Sequence, residues 1–423
     1  MSAIPRHLLP DTATIDTRGR LSIGGVDLLD LAAEHGTPLF VYDEEHVRAR
    51  CREAVDAFGA GRAIYASKAF LCTAMARLVR EEGLRLDVAT GGELHVALAA
   101  DFPPDRLVLH GNNKSNDELR MARQAGVGRT VVDSFDELDR LDDLHAEDGL
   151  VPSVLLRVTP GIEAHTHEYV KTGQDDSKFG FGLAAGDARR AVQRAAASSA
   201  VELVGLHAHI GSQVFAVESF RAAIEVLAPF VREAGLPELI VGGGLGVAYV
   251  EGEEAATLSQ WARVLHAAAE QHAVGVPIAV EPGRSIVAAA AVTLYTVGTL
   301  KTLPGLRTYL AVDGGMSDNP RPVLYGSGYE AFLPRETDAG RPRTVRIVGK
   351  HCESGDVLVS NARVPDDIAV GDILCTPVTG AYGHSMGSNY NKVPRPAVVF
   401  VRDGGARVVV RRETYDDLLR FDV

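Results

Sequence analysis

The sequence predicts an α/β barrel of eight βα units, a TIM-type (β/α)8 arrangement, joined to a second, mostly β domain. Three observations carry this. From residue 62 onward, short β-branched runs alternate with Ala/Leu/Glu/Arg-rich stretches of helical period, the pattern of strands and crossover helices around a parallel sheet. Eight such runs can be counted, and nearly every one ends in polar residues that a bare barrel would not need. After Arg284 the helical periods fade and Val/Thr/Arg alternation between Gly/Pro turns takes over.

The strands, in order, are RAIYASK (62–68), LRLDVAT (84–90), RLVLHGNN (106–113), TVVDS (130–134), SVLLRV (153–158), LVGLHAHIGS (203–212), ELIVGGG (238–244) and PIAVEPGR (277–284). Their ends carry Lys68, Asp87, His110 with Asn112 and Asn113, Asp133, Arg157, His209 with Ser212, Gly242 to Gly244, and Glu281 with Arg284. In this fold the C-terminal rim of the strands is where active sites are built, so converging polar groups there read as chemistry. The barrel is assigned to 36–285. Segments TVRIVGK, DVLVS and RVVVRRET mark the β domain, assigned to 286–423 together with 1–35, where TRGRLSIGGVDL reads as a strand that joins it.

Composition narrows the partners. At 423 residues and 46% hydrophobic content the chain can bury two cores. A net charge of −13 argues against nucleic acid and against an anionic membrane surface. The least polar stretch, IVAAAAVTLYTVGTL (286–300), is too short to span a bilayer, which takes about 20 apolar residues. No basic-then-apolar leader opens the chain, and Cys51, Cys72, Cys352 and Cys375 show neither CxxC pairing nor metal-ligand spacing. The expectation is a cytoplasmic protein with reduced thiols that acts on a small molecule.

Each candidate residue has a plainer reading beside the chemical one. Lys68 in YASKAF is either a strand-capping lysine or, at the inner rim of a barrel, an amine whose desolvation lowers its pKa and frees it to form a Schiff base. The Gly-rich GGGLG (242–246) is a tight turn or a backbone cradle for phosphate, without the Lys-Ser/Thr of a nucleotide loop. EPGRS (281–285) offers an ion pair or, with Lys68 and a phosphate site, a carboxylate that keeps the pyridine nitrogen of pyridoxal phosphate protonated. HAHIGS (207–212) is a metal pair, needing His110, Asp87 or Asp133 as further ligands, or a ring-stacking His209 with Ser212 on a phosphate. Arg321 and Tyr325 in DGGMSDNPRPVLYG, and Tyr382 in TGAYGHSMGSNYN, read singly as a salt bridge and core aromatics.

Taken together, YASKAF, HAHIGSQ, GGGLG, EPGRS, DGGMSDNPRPVLY, CESGD and TGAY, in this order over essentially the whole chain, resemble the fold-type III pyridoxal-phosphate decarboxylases, most closely their diaminopimelate branch with a KHCESGD loop. The resemblance implies pyridoxal 5'-phosphate as cofactor and no metal. It makes Lys68 the Schiff-base lysine, Asp87 an acid that orients it or the ring, and His209 the stacking histidine. Ser212, Gly244, Gly283 and Arg284 become cofactor contacts and Glu281 the partner of the ring nitrogen. Arg284, Arg321 and Tyr325 become substrate-carboxylate contacts, Glu353 a contact to the far end of the substrate, and Tyr382 a residue touching cofactor and substrate alike.

It also implies that Cys352 is the general acid and that the loop carrying Cys352 and Glu353 reaches into the barrel of a second copy, so that a homodimer has two shared sites. The activity implied is decarboxylation of meso-diaminopimelate at its D-centre to L-lysine. Action on another amino acid, racemisation by a tyrosine acid, an inactive binding protein and a metal hydrolase are the alternatives. His384 and Gly387 depart from the commoner TGAYGYSMASNYN.

Overall fold

The computed structural model describes residues 4–162 and 176–423. It divides into two compact units, a barrel unit of residues 50–246 and 255–285 and a β unit of residues 1–49, 247–254 and 286–423.

In the barrel unit eight parallel strands lie side by side in chain order: Ile64–Ala66, Arg85–Val88, Leu107–Leu109, Arg129–Val132, Ser153–Thr159, Glu202–His207, Glu238–Ile240 and Ile278–Ala279. A parallel bridge between Ala63 and Val280 closes the ring. Ile64 N–H donates to Val280 O at 2.9 Å and Ala66 N–H to Pro282 O at 3.1 Å across that seam. All eight runs read from the sequence are therefore barrel strands. Several ladders stop short of the polar end of their run: pairing ends at Ala66 before Lys68, at Leu109 before Asn112 and at Ile240 before Gly242, whereas Asp87 and Arg157 are paired within theirs. Most of the polar residues thus sit on the loops that leave the strand C-termini.

Ile64, Val108, Val131, Leu155, Ile240 and Ala279, each from a different strand, form one buried cluster with Val204 packed on it. Burying an aliphatic side chain of this size stabilises by about 1.5–3 kcal/mol, so the cluster makes the ring a solid core on which the loops are mounted. Helices follow the strands in turn, among them Thr73–Glu81, Gly91–Ala99, Asn116–Ala125, Phe135–Asp148, Glu218–Ala234 and Leu258–Gln271. Their starts are encoded locally. Ser115 with Glu118 and Thr257 with Gln260 form reciprocal capping boxes that satisfy the first free N–H groups.

The β unit is built on the long strand Ala291–Leu303, which pairs antiparallel with Leu39–Asp43, Ile373–Pro377 and Arg307–Val312 along its length. Arg343–Val348 and Val357–Val364 extend the sheet on one side, Ala397–Arg402 and Gly405–Val410 on the other. The N-terminal strand of this sheet is Leu39–Asp43, not TRGRLSIGGVDL. That earlier segment folds into a small sheet of its own, Thr14–Ile15, Leu21–Ile23 and Val26–Asp27. Residues 36–49, which the sequence groups with the barrel, fall in the β unit because all five residues of Leu39–Asp43 are buried between strands of that sheet. Residues 247–254 also belong to the β unit.

Candidate active site

Glu281 leaves the eighth barrel strand with its N–H bonded to Gly242 O at 2.8 Å and its carboxylate buried. His207, the last residue of the sixth strand, places Nε2 3.0 Å from Glu281 Oε2. His110, just past the third strand, brings Nε2 within 2.9 Å of Oε1, a charge contact short of linear hydrogen-bond geometry. The two rings meet edge to face, centroids 4.9 Å apart. Burial lowers the His207 pKa to about 4, so its imidazole is neutral and donates to the carboxylate. Burial alone would raise Glu281, but the pull of His110 and His207 outweighs it and holds the carboxyl well below the usual range.

Asp87, buried beside them and 3.9 Å from His110, is pushed up to about 6 by burial against the opposing charges of His110 and Lys68. Arg157 lies 3.7 Å from Asp133 and over the Phe179 ring at 4.2 Å.

Lys68 stands in the middle of a single 3-10 turn, Ser67–Ala69, directly after the first strand, and it is exposed. The ladder ends at Ala66, so Lys68 stands on the turn past the strand rather than at the strand end itself. The charge of Lys68 nevertheless acts on both Asp87 and His209. His209 Nδ1 accepts from Gly243 N–H at 3.2 Å, which leaves the ring proton on Nε2. Burial, with the charges of Lys68 and Arg157, holds this imidazole well below its usual pKa and so neutral.

Beside it Arg284 Nη2 donates to Ser212 Oγ at 2.9 Å. Gly244 has φ +107°, and a Cβ there would stand 2.0 Å from Gly211 O, so only glycine closes the loop this tightly. A Cβ on Gly283 would press Ala66 at 2.9 Å.

In the β unit the short helix Arg321–Tyr325 starts with a buried arginine. Arg321 Nη1 donates to the Tyr329 hydroxyl at 2.7 Å, and its guanidinium lies 4.1 Å from the centre of the Tyr249 ring. Among the described residues no carboxylate pairs with it. Burial would depress its pKa, but Tyr329 and Tyr249 more than offset that and raise it. Tyr325 is half-buried on the same turn.

The KHCESGD loop is pinned at both ends. Asp356 accepts from Met316 N–H at 2.7 Å and His351 N–H at 2.9 Å. His351 contacts Ser317 Oγ at 2.8 Å and Asn391 Oδ1 at 3.1 Å. Between these pins Cys352 and Glu353 are exposed, and Glu353 accepts from the Tyr390 hydroxyl at 2.5 Å. Tyr382 is half-buried with φ +59°, a backbone conformation that costs energy in a non-glycine residue. His384, where the sequence departs from the commoner tyrosine, packs edge-on against Phe40 with centroids 5.8 Å apart.

The structure therefore gathers Lys68, Asp87, His209, Ser212, Gly244, Glu281, Gly283 and Arg284 around the barrel rim, and it sets Arg321, Tyr325, Cys352, Glu353 and Tyr382 in the β unit. The metal reading of HAHIGS changes form. His207 joins His110 and Glu281, whose ligand atoms lie within 4.8 Å of one another, while His209 turns to Gly243. Tyr249 and Tyr329 carried no motif of their own, and the pins His351 and Asn391 lie inside KHCESGD and TGAYGHSMGSNYN without standing out there.

Comparisons with known proteins decide between the chemistries left open. The sequence profile described as "Pyridoxal-dependent decarboxylase, pyridoxal binding domain" matches residues 44–288. Diaminopimelate decarboxylase of Mycobacterium bovis is 49% identical over 99% of this chain and 98% of that protein. The Bacillus subtilis enzyme of the same name is 46% identical over 98% of each. The chain belongs to the diaminopimelate decarboxylase family. The solved diaminopimelate decarboxylase of M. jannaschii, described in co-complex with L-lysine, superposes with a TM-score of 0.90 at 32% identity, covering 98% of both chains.

The cofactor of this family is pyridoxal phosphate, and the barrel rim fits it. Gly244 and Gly211 approach too closely for a side chain, and Ser212 with Arg284 supplies polar hydrogens for a phosphate. Glu281 offers an ionised carboxylate for a ring nitrogen, and His209 a neutral flat ring.

Proposed function

We propose that this protein decarboxylates meso-diaminopimelate at its D-centre, giving L-lysine and carbon dioxide in lysine biosynthesis. Family membership over the full chain supports the reaction class. The observation that carries the choice of substrate is Arg321, a buried cation with aromatic neighbours and, among the described residues, no carboxylate as counter-ion. A buried unpaired charge is costly. A substrate carboxylate relieves it, and amino acids with no second carboxylate, such as lysine or ornithine, leave part of the anion-binding set unused.

Bound pyridoxal phosphate supplies an aromatic sink for the electron pair left when a carboxyl group departs. The other roles belong to side chains. Lys68 holds the cofactor through its amine, with Asp87 orienting that amine. His209 covers one face of the ring, Glu281 meets the ring nitrogen, and Ser212, Gly244, Gly283 and Arg284 hold the phosphate. Arg284, Arg321 and Tyr325 take substrate carboxylates, Glu353 the distal amine, and Tyr382 touches both ligands. Cys352 delivers a proton to the substrate Cα, a task suited to an exposed thiol.

We also read Cys352 and Glu353 as serving the barrel of a second copy in a two-fold homodimer. Their loop is exposed yet rigidly pinned. Beside it an apolar groove lined by Met316, Pro320, Val323, Leu324 and Tyr390 leaves Val323 41% and Leu324 45% exposed, as a dimer-forming surface would. A cytoplasmic location fits a biosynthetic enzyme. Among the described residues no helix is long and apolar enough to cross a membrane.

The test offers the purified protein meso-diaminopimelate, lysine, ornithine and glutamate with pyridoxal phosphate and measures carbon dioxide. Release from meso-diaminopimelate alone is expected. Preferred release from any of the others overturns the substrate reading.

A further inference from the structure

Asp87 and Glu281 are both buried carboxylates of the barrel mouth near His110, and they are treated differently. Asp87 has one imidazole at 3.9 Å and titrates near 6, where a buried acid belongs without close donors. Glu281 has an imidazole nitrogen against each oxygen, at 3.0 Å from His207 and 2.9 Å from His110. These two histidines come from different strands and meet only because the barrel closes.

His207 shows that the arrangement is specialised. Its Nε2 faces Glu281, and its Nδ1 is buried with no hydrogen-bond partner among the described residues. A histidine kept for packing would normally satisfy both nitrogens. Here one nitrogen is left unsatisfied while the other is committed to the carboxylate.

We propose that His110 and His207 are positioning residues that hold Glu281 as an aimed carboxylate, and thereby keep the pyridine nitrogen of the bound cofactor protonated. This rests on the reading of Glu281 as the partner of that nitrogen. The chemistry requires an anion, because a neutral Glu281 would have no charge with which to retain a proton on the ring. At His207 a neutral imidazole suits the task better than Arg or Lys. It donates a hydrogen to the carboxylate without cancelling its charge, so Glu281 remains able to balance a pyridinium. The edge-to-face contact of the two rings fixes their planes and, through them, the carboxylate.

The experiment reconstitutes the enzyme with 15N-labelled pyridoxal phosphate and reads the ring-nitrogen chemical shift, together with the cofactor dissociation constant from titration of the apoenzyme. Leucine at either position (His207→Leu, His110→Leu) is expected to move the shift toward the unprotonated value. Each should weaken cofactor binding by about tenfold to a hundredfold, the scale of a lost hydrogen bond to a charged group. His207→Gln, whose amide reaches where Nε2 stood, is expected to restore both.

Should the leucine variants fail to fold, His207→Gln against the shorter His207→Asn decides, with only the first retaining the protonated signal. An unchanged shift in all histidine variants, while Glu281→Gln moves it, overturns the positioning role and leaves Glu281 in place. An unchanged shift in Glu281→Gln overturns the reading of Glu281 itself, and the role of the histidines with it.

Discussion

The Tyr329 hydroxyl accepts a 2.7 Å hydrogen bond from Arg321 Nη1 and so fixes the direction of a buried guanidinium whose other face rests on Tyr249. Tyr329→Phe keeps the packing and removes only that bond. The expected result is a rise of about fivefold in KM for the substrate, corresponding to a net bond of about 1 kcal/mol, with kcat and cofactor affinity little changed. Steady-state kinetics and a cofactor titration check it. A fall in kcat at constant KM contradicts the assignment of Arg321 to substrate binding.

Ser212 and Arg284 make a second test, on the cofactor side. Ser212→Ala removes a hydroxyl that accepts from Arg284 Nη2 at 2.9 Å and offers its own hydrogen onward. Cofactor affinity is expected to fall about tenfold, the value of one hydrogen bond to a charged group. KM measured at saturating cofactor stays near that of the parent protein.

Cys352→Ala removes the exposed thiol from a loop anchored by Asp356 and His351, neither of which the change disturbs. Turnover is expected to drop by about a hundredfold or more, the range of a lost general acid, while the visible band of bound cofactor persists. Undiminished turnover removes Cys352 from the reaction.

Asp318 gives a prediction on stability. Its carboxyl accepts from the Tyr295 hydroxyl at 2.6 Å and Gly315 N–H at 2.8 Å, in the segment that leads to Arg321. Burial raises its pKa from 3.8 to about 7. A carboxyl raised on folding binds its proton more tightly in the native state. Its contribution to stability is therefore full below the unfolded pKa and is lost as pH rises through about 7, on the order of a few kcal/mol. In Asp318→Asn this term is absent. The difference in Tm between parent and variant should favour the parent at pH 5 and shrink or reverse by pH 8. Parallel curves across that range refute it.

Much of this was legible in the sequence for a physical reason. A parallel barrel buries its strands on both faces and hands the chain to loops at one rim, so β-branched runs with polar tails mark both the fold and the mouth. Gly244 and His209 could be read because their motifs are contiguous: the loop geometry that needs a glycine, and the imidazole beside it, are local. The clamp on Glu281 could not be read that way, since His110, His207 and Glu281 meet only when the third, sixth and eighth strands close into a ring. Tyr249 and Tyr329 were silent because a single aromatic residue looks the same in a core as under a cation. The turn that carries Lys68 was missed because the hydrophobic run before it reads as a longer strand than the ladder that forms.

The placement of Leu39–Asp43 bears on how the protein is made. Its backbone is paired on one edge with residues 291–294 and on the other with residues 397–401. A nascent chain therefore carries this apolar pentapeptide without either neighbour while the whole barrel is synthesised, and completes its pairing only as the last strands leave the ribosome. Most of the barrel, by contrast, emerges as consecutive βα units that can pair as they appear. Loss of the C-terminal strands through premature termination would expose an edge at the other end of the polypeptide, which makes truncated products targets for aggregation and for quality-control proteases.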